Sequence, residues 1–143
     1  MIVMVTGHRP QRLRGQEKRI SAEMARLVAK LKPDKAISGM AAGADQIWAM
    51  AALDGGIPLY CYFPYPRQKY HPQEQYIMEN ATGVRNICSE YSRESYYIRD
   101  CAMVDDSDVV IAVWDGMEQG GTWNTIKYAR EKGKKIYYIN IGV

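Results

Sequence analysis

The chain has 143 residues, 47% hydrophobic and 24% charged, with a formal net charge of +3, which suits one domain (1–143) around one core and is ordinary for a soluble globular protein. No apolar run approaches the about 18 residues of a membrane span, and the opening MIVMVTG lacks a signal-peptide pattern, so cytoplasmic residence and no membrane partner are expected. The small charge excess disfavours nucleic acid as a partner.

Residues 2–6 (IVMVT) form a continuous apolar run, as a strand buried on both faces requires. Residues 16–31 read as a helix, with Ile20, Met24, Leu27, Val28 and Leu31 at helical spacing and Pro33 as its stop. A short strand over 35–38 ends at Ser38-Gly39. An alanine-rich helix follows over 43–53 (Ala44, Ala49, Ala51, Ala52) and ends at Gly55-Gly56. Residues 57–63 read as a strand, 64–72 (PYPRQKYHP) as a Pro- and Tyr-rich loop, 72–80 as a helix and 84–88 as a short strand. A helix over 94–105 precedes the clearest strand, 109–114 (VVIAVW). Gly120-Gly121-Thr122 opens a helix through Lys132, Gly133 caps it, and 136–139 supply the last strand. This alternation predicts an α/β, Rossmann-like three-layer sandwich with a mostly parallel sheet.

Three glycine-bearing turns each follow a strand and precede a helix: Thr6-Gly7-His8-Arg9-Pro10, Ser38-Gly39-Met40-Ala41-Ala42-Gly43-Ala44-Asp45, and Asp115-Gly116-Met117-Glu118-Gln119-Gly120-Gly121-Thr122. A parallel sheet brings all three to the edge beyond its strand C-termini, where open α/β sheets bind ligands. Glycine lets backbone amides approach a phosphate, and a helix start offers unpaired N–H groups. Each such dipole contact is worth only about 0.3–1 kcal/mol, so several must converge. The candidate ligand-binding residues are therefore Thr6, Gly7, His8, Arg9, Ser38, Gly39, Met40, Gly43, Asp45, Asp115, Gly120, Gly121, Thr122 and Asn124. None of the turns is a Walker A loop or a GxGxxG fingerprint.

Asp45 in a first helical turn reads equally as a residue favoured by the helix dipole. Asp108 reads as a strand-entry residue at the opposite edge, with Asp105 and Asp106 just before it. Arg9, Arg12, Arg14, Lys18 and Arg19 form either a basic rim or a solvated helix face. Trp114 reads as core, and Trp123 is a candidate base-stacking residue. Tyr62, Tyr65, Tyr70 and Tyr76 border the Pro-rich loop as a lid, an interface or a solvent-facing surface. Cys61, Cys88 and Cys101 include no CxxC pair, and the only histidines are His8 and His71; neither a metal site nor a cofactor is implied.

The turns Thr6-Gly7-His8-Arg9-Pro10 and Ser38-Gly39-Met40-Ala41-Ala42-Gly43-Ala44-Asp45, together with the stretch from Arg99 through Tyr128, resemble the SLOG superfamily. That superfamily joins the "lonely guy" phosphoribohydrolases to the DNA-processing protein A fold, and small bacterial and phage members share the TGHRP-like turn. The resemblance covers about residues 2–140. It implies a Rossmann-like fold, a nucleotide-derived ligand and, as in relatives that pair subunits, a homodimer. In the phosphoribohydrolases an arginine and a glutamate cleave the N-glycosidic bond of a nucleoside monophosphate. Arg99, followed by Met103, Ser107 and Asp108, looks like that arginine, and Gly120-Gly121-Thr122 like the phosphate turn. The position of the glutamate is taken by Asn124, a neutral amide that cannot serve as general base, a loss of about 10²–10⁴ in rate.

The expectation is thus a module that binds a nucleotide or nucleotide-sugar phosphate, as a sensor or a sequestering protein. The alternatives are an N-glycosidase of the phosphoribohydrolase kind and, third, single-stranded DNA binding.

Overall fold

The computed structural model describes residues 1–142. Strands β1 (Ile2–Gly7) and β5 (Val109–Trp114) are apolar on both faces and buried through their middles, so they take the centre of the sheet. They are flanked by β2 (Lys35–Ser38), β3 (Leu59–Phe63), β4 (Gly83–Asn86) and β6 (Lys135–Asn140) in the order β4-β3-β2-β1-β5-β6. Every pairing is parallel.

The chain steps outward from β1 to β4, then returns to place β5 on the other side of β1. That reversal leaves a crevice beyond the β1 and β5 C-termini, the position where doubly wound sheets accept ligands. Alternate residues of β1 face opposite layers. Val3 and Val5 pack in one cluster with Met24 and Leu27 of α2 (Glu17–Leu31), Trp48 of α3 (Ala44–Asp54) and Ile77 of α4 (Pro72–Asn80). Met4 packs in the other with Met103 and Val104 of α5 (Ser95–Asp105) and Ala129 of α6 (Gly120–Glu131). The result is the anticipated three-layer Rossmann-like sandwich, and its sheet is wholly rather than mostly parallel.

Element boundaries differ from the sequence reading for local reasons. A four-residue helix, α1 (Pro10–Leu13), was not anticipated; Pro10 at its start presets the backbone, and Leu13 anchors it in the core. The third strand begins at Leu59 rather than Ile57, because Pro58 has no N–H to give a ladder. Among the described residues no helix is long and apolar enough to cross a membrane.

Candidate functional site

The β1 and β2 turns are bonded to each other. The Ala44 amide donates to the His8 carbonyl at 3.2 Å. Gly43 sits between them at φ +100°, and a Cβ there would lie 2.4 Å from the His8 oxygen, so only glycine satisfies both the dihedral and the space. A Cβ on Gly7 would likewise lie 2.5 Å from Ala44 Cβ. These two glycines serve packing between turns, a role the sequence reading had given to phosphate approach.

The third turn joins them across a cleft of about 270 Å³. Thr6, Gly7, His8 and Arg9 line it from the first turn, Ala41 and Asp45 from the second, Gly121 and Thr122 from the third, and Tyr96, Arg99 and Asp100 from α5. The helix N-terminus here is open: Gln119 makes no side-chain cap, and a Cβ on Gly120 or Gly121 would meet nothing within 4 Å. Two more clefts adjoin. One of about 500 Å³ runs past Arg12, Asp115, Met117 and Gly120, and one of about 310 Å³ runs past Gly39, Met40, Phe63 and Tyr65. Arg9, exposed, lines all three, which makes them one groove along the C-terminal edge of the sheet.

Several expected contact residues are occupied by the protein itself. Ser38 donates its hydroxyl to the Asp45 carbonyl at 2.8 Å and accepts from the Met40 amide at 3.1 Å. It shapes the turn, as does Met40, buried at φ +60°. Arg99 is 5% exposed. Its Nη1 donates to the carbonyls of Gly39 (2.6 Å) and Tyr62 (3.2 Å), and its Nε to Asp100 (2.7 Å). It is a clamp between the ends of β2 and β3, with one face on the groove. Asp115 accepts from Arg12 and from the Met117 amide, and its own amide donates to His8 Nε2 at 3.3 Å.

Asn124 does not reach the groove. It is exposed and lines a separate cleft with Tyr97, Lys127, Tyr128 and Glu131. Helix α6 buries Thr122, Thr125, Ile126 and Ala129, and two residues beyond Thr122 is a rotation of about 200°, to the far side. Beside Asp45, the central cleft holds a second carboxylate, Asp100, which the sequence reading missed. Its Oδ1 accepts from Arg99 and its Oδ2 from the Thr125 hydroxyl at 3.3 Å. A usable signal was the α5 stripe Ser95, Arg99, Met103, all buried, which puts the neighbouring Tyr96 and Asp100 at the stripe's margin.

Other candidates settle elsewhere. Trp123 stacks on Trp114 (5.4 Å, 7°), and Lys127 and Arg130 lie over its ring. Asp108 accepts from the Ile2 amide at 2.7 Å, at the opposite edge, as its strand-entry reading required. Asp105 and Asp106 pair with Tyr128 and with Tyr62 and Arg85. Arg9 and Arg12 reach the groove, whereas Arg14 and Lys18 are solvated. Tyr65 borders the groove and Tyr76 is exposed on α4.

Burial dominates the site's electrostatics. It pushes the Asp45 carboxyl up to about 6, opposed by Arg99 and reinforced by Asp100. It raises Asp100 as well, against Arg99. It lowers His8 despite Asp115, which favours the imidazole form whose Nε2 accepts the Asp115 amide. Burial would also raise Asp115, but the Met117 amide, His8 and Arg12 outweigh it and hold that carboxyl low. Among the described residues no group of three or more His, Cys, Asp or Glu side chains is arranged to hold a metal.

The profile of the family described as DNA recombination-mediator protein A matches residues 2–142. No curated protein matches the sequence. Among solved structures, DNA processing protein A from Helicobacter pylori, described for its single-stranded DNA binding mode, is 21% identical with a TM-score of 0.72, covering 96% of this chain and 64% of its own. DNA processing protein A from Streptococcus pneumoniae is 17% identical with a TM-score of 0.71, covering 95% of this chain and 49% of its own. The molybdenum cofactor carrier protein of Chlamydomonas reinhardtii is 17% identical with a TM-score of 0.69, covering 96% and 74%. This chain thus spans about half to two thirds of the two DNA processing proteins. At these identities the likeness is one of fold.

Proposed function

The chain belongs to the DNA recombination-mediator protein A family, and on that premise we propose that it binds the sugar-phosphate of a nucleotide-type ligand in the groove along its strand C-termini. The observation that carries this reading is the open first turn of α6. Open space lies where a Cβ on Gly120 or Gly121 would stand, Gln119 makes no side-chain cap, and Arg9 of the first turn lines the same cleft as Gly121. Backbone amides and an exposed guanidinium together suit a phosphate.

A single strand of nucleic acid is the favoured source of that phosphate. A groove of three linked clefts accommodates more than one nucleotide unit. A Helicobacter pylori relative of this fold is described as binding single-stranded DNA. The net charge of +3 had argued against nucleic acid. What steers a polyanion is the local arrangement of charge, and here Arg9, Arg12 and Arg67 line the groove. The free-nucleotide sensor remains the other source, in keeping with a cofactor carrier of the same fold.

A second reading, N-glycosidic hydrolysis, draws on Asp45 and Asp100. Both line the central cleft, and a carboxyl near 6 is in the range of a general acid.

The test is fluorescence anisotropy with a short oligothymidylate at several salt concentrations, alongside base release from nucleoside monophosphates. Arg9→Ala is expected to weaken binding about tenfold and to flatten its salt dependence by about one phosphate contact. Undiminished binding by the variant refutes the site, and free base in the assay moves the conclusion to the hydrolase.

A further inference from the structure

We propose that the cleft at the β3 side of the groove is a seat for a nucleobase, held by stacking and indifferent to which base it is. This rests on the reading above, because the base belongs to the ligand whose phosphate lies at α6. The cleft opens from the central one and shares Arg9, Ala41, Tyr96 and Arg99 with it. Its volume of about 310 Å³ exceeds that of a single base. Phe63, Tyr65 and Tyr96 contribute aromatic walls, whereas the cleft on the other side of the centre has no Phe, Tyr or Trp in its lining.

The rings are fixed before any ligand arrives. Tyr65 meets Tyr96 edge-on, with centroids 6.0 Å apart at 89° and hydroxyls 3.1 Å apart, and meets Tyr91 at 5.7 Å and 88°. The Arg99 guanidinium stands 5.7 Å from the Tyr96 centroid. Edge-on contacts leave ring area uncovered, and Tyr91 and Tyr96 stay 66% and 39% exposed. Arg67 forms another wall. Its guanidinium is held by both oxygens of the buried Glu74 (2.7 and 3.2 Å) and lies 5.7 Å from Phe63. Such rigid, apolar-bodied side chains make a stacking site at low entropic cost.

The indifference to base identity follows from the polar groups. Glu74 is taken by Arg67 and by the His71 amide. The Gln46 side-chain nitrogen donates to the Met40 carbonyl at 3.3 Å. Glu74 and the paired Tyr65 and Tyr96 hydroxyls are engaged within the protein, so recognition falls mainly to ring faces, which every base offers.

The experiment compares an eight-nucleotide oligothymidylate, its oligoadenylate counterpart, an abasic deoxyribose-phosphate chain of the same length, and thymidine monophosphate. Each is titrated against the wild-type chain, Tyr96→Ala and Tyr96→Phe. The wild type is expected to hold both base-bearing strands within about threefold of each other and the abasic chain about tenfold more weakly. Tyr96→Ala is expected to erase that tenfold gap and Tyr96→Phe to keep it. Monophosphate binding as tight as the strand's identifies a free nucleotide as the source; weaker binding identifies a strand. Equal wild-type affinity for base-bearing and abasic chains overturns the base seat while leaving the phosphate reading intact. An equal loss for both chains in Tyr96→Ala also overturns it. If the wild type binds none of the probes, the phosphate reading falls and the base seat with it.

Discussion

Two glycine-to-alanine substitutions separate packing from binding. At Gly43 the backbone is at φ +100°, and an added Cβ would stand 2.4 Å from the His8 carbonyl oxygen and 3.0 Å from Arg9 backbone atoms. Both obstacles are backbone, so neither yields by a side-chain rotation. The dihedral costs about 1–3 kcal/mol and the overlap a further 1–3 kcal/mol or so, a large share of the about 5–15 kcal/mol that holds a domain folded. At Gly121 the added Cβ meets nothing within 4 Å and no left-handed dihedral is involved, so alanine in this first helical turn leaves stability unchanged or raises it by up to about 0.5–1 kcal/mol. That methyl lies where the phosphate is proposed to approach, and loss of one charge-assisted contact weakens binding about tenfold. Urea unfolding and anisotropy on both variants measure the two effects. Gly43→Ala should lower the unfolding midpoint, and Gly121→Ala should lower affinity alone. Wild-type affinity in Gly121→Ala, or wild-type stability in Gly43→Ala, refutes the reasoning.

Arg99→Ala leaves the Asp100 and Asp45 carboxylates without their counter-charge and should cost about 3–5 kcal/mol in urea unfolding. An unchanged midpoint would mean that Arg99 is not the clamp its bonds to Gly39, Tyr62 and Asp100 describe. Asp45 has its carboxyl raised by burial to about 6, so its stabilising effect is full below its unfolded value near 3.8 and is lost as pH rises through about 6. Asp45→Asn should therefore raise the melting temperature at pH 7.5 and not at pH 4, and should tighten oligothymidylate binding at pH 7.5; an equal gain at both pH values in calorimetry contradicts this. Glu74 has its carboxyl lowered although burial opposes it, because Arg67 and the His71 amide outweigh that burial, so its contribution is present above about 4.5 and fades as pH falls through the depressed folded value. Glu74→Gln should cost about 1–3 kcal/mol and expose the 64–71 loop to trypsin at Arg67 and Lys69; resistance equal to the wild type counts against the clamp.

The architecture was legible because its signals are local. The run Val109-Val110-Ile111-Ala112-Val113 announces a strand covered on both faces, and Ile20, Met24, Leu27 and Val28 announce one helix face. The convergence of the three turns followed from parallel topology alone. What the sequence concealed were phases and partners. Asn124 was aligned with a catalytic position, but helical rotation from Thr122 carries it to solvent. Asp100 went unremarked because its membership of the site depends on Arg99 and Thr125, which are 1 and 25 residues away. Ser38 looked like a ligand donor until both functions of its hydroxyl proved to be used in the turn. The Tyr65–Tyr96 contact joins residues 31 apart, beyond the reach of any local pattern.

The central claim is that one groove at the strand C-termini receives a phosphate on the first turn of α6. Backbone amide shifts recorded by NMR during titration with an oligothymidylate test it residue by residue. The largest changes are expected at His8, Arg9, Ala41, Gly120, Gly121 and Thr122. Saturable changes confined to the outer faces of α2 and α3, for example at Ala25, Ala29 and Asp54, with the groove amides unmoved, would contradict it.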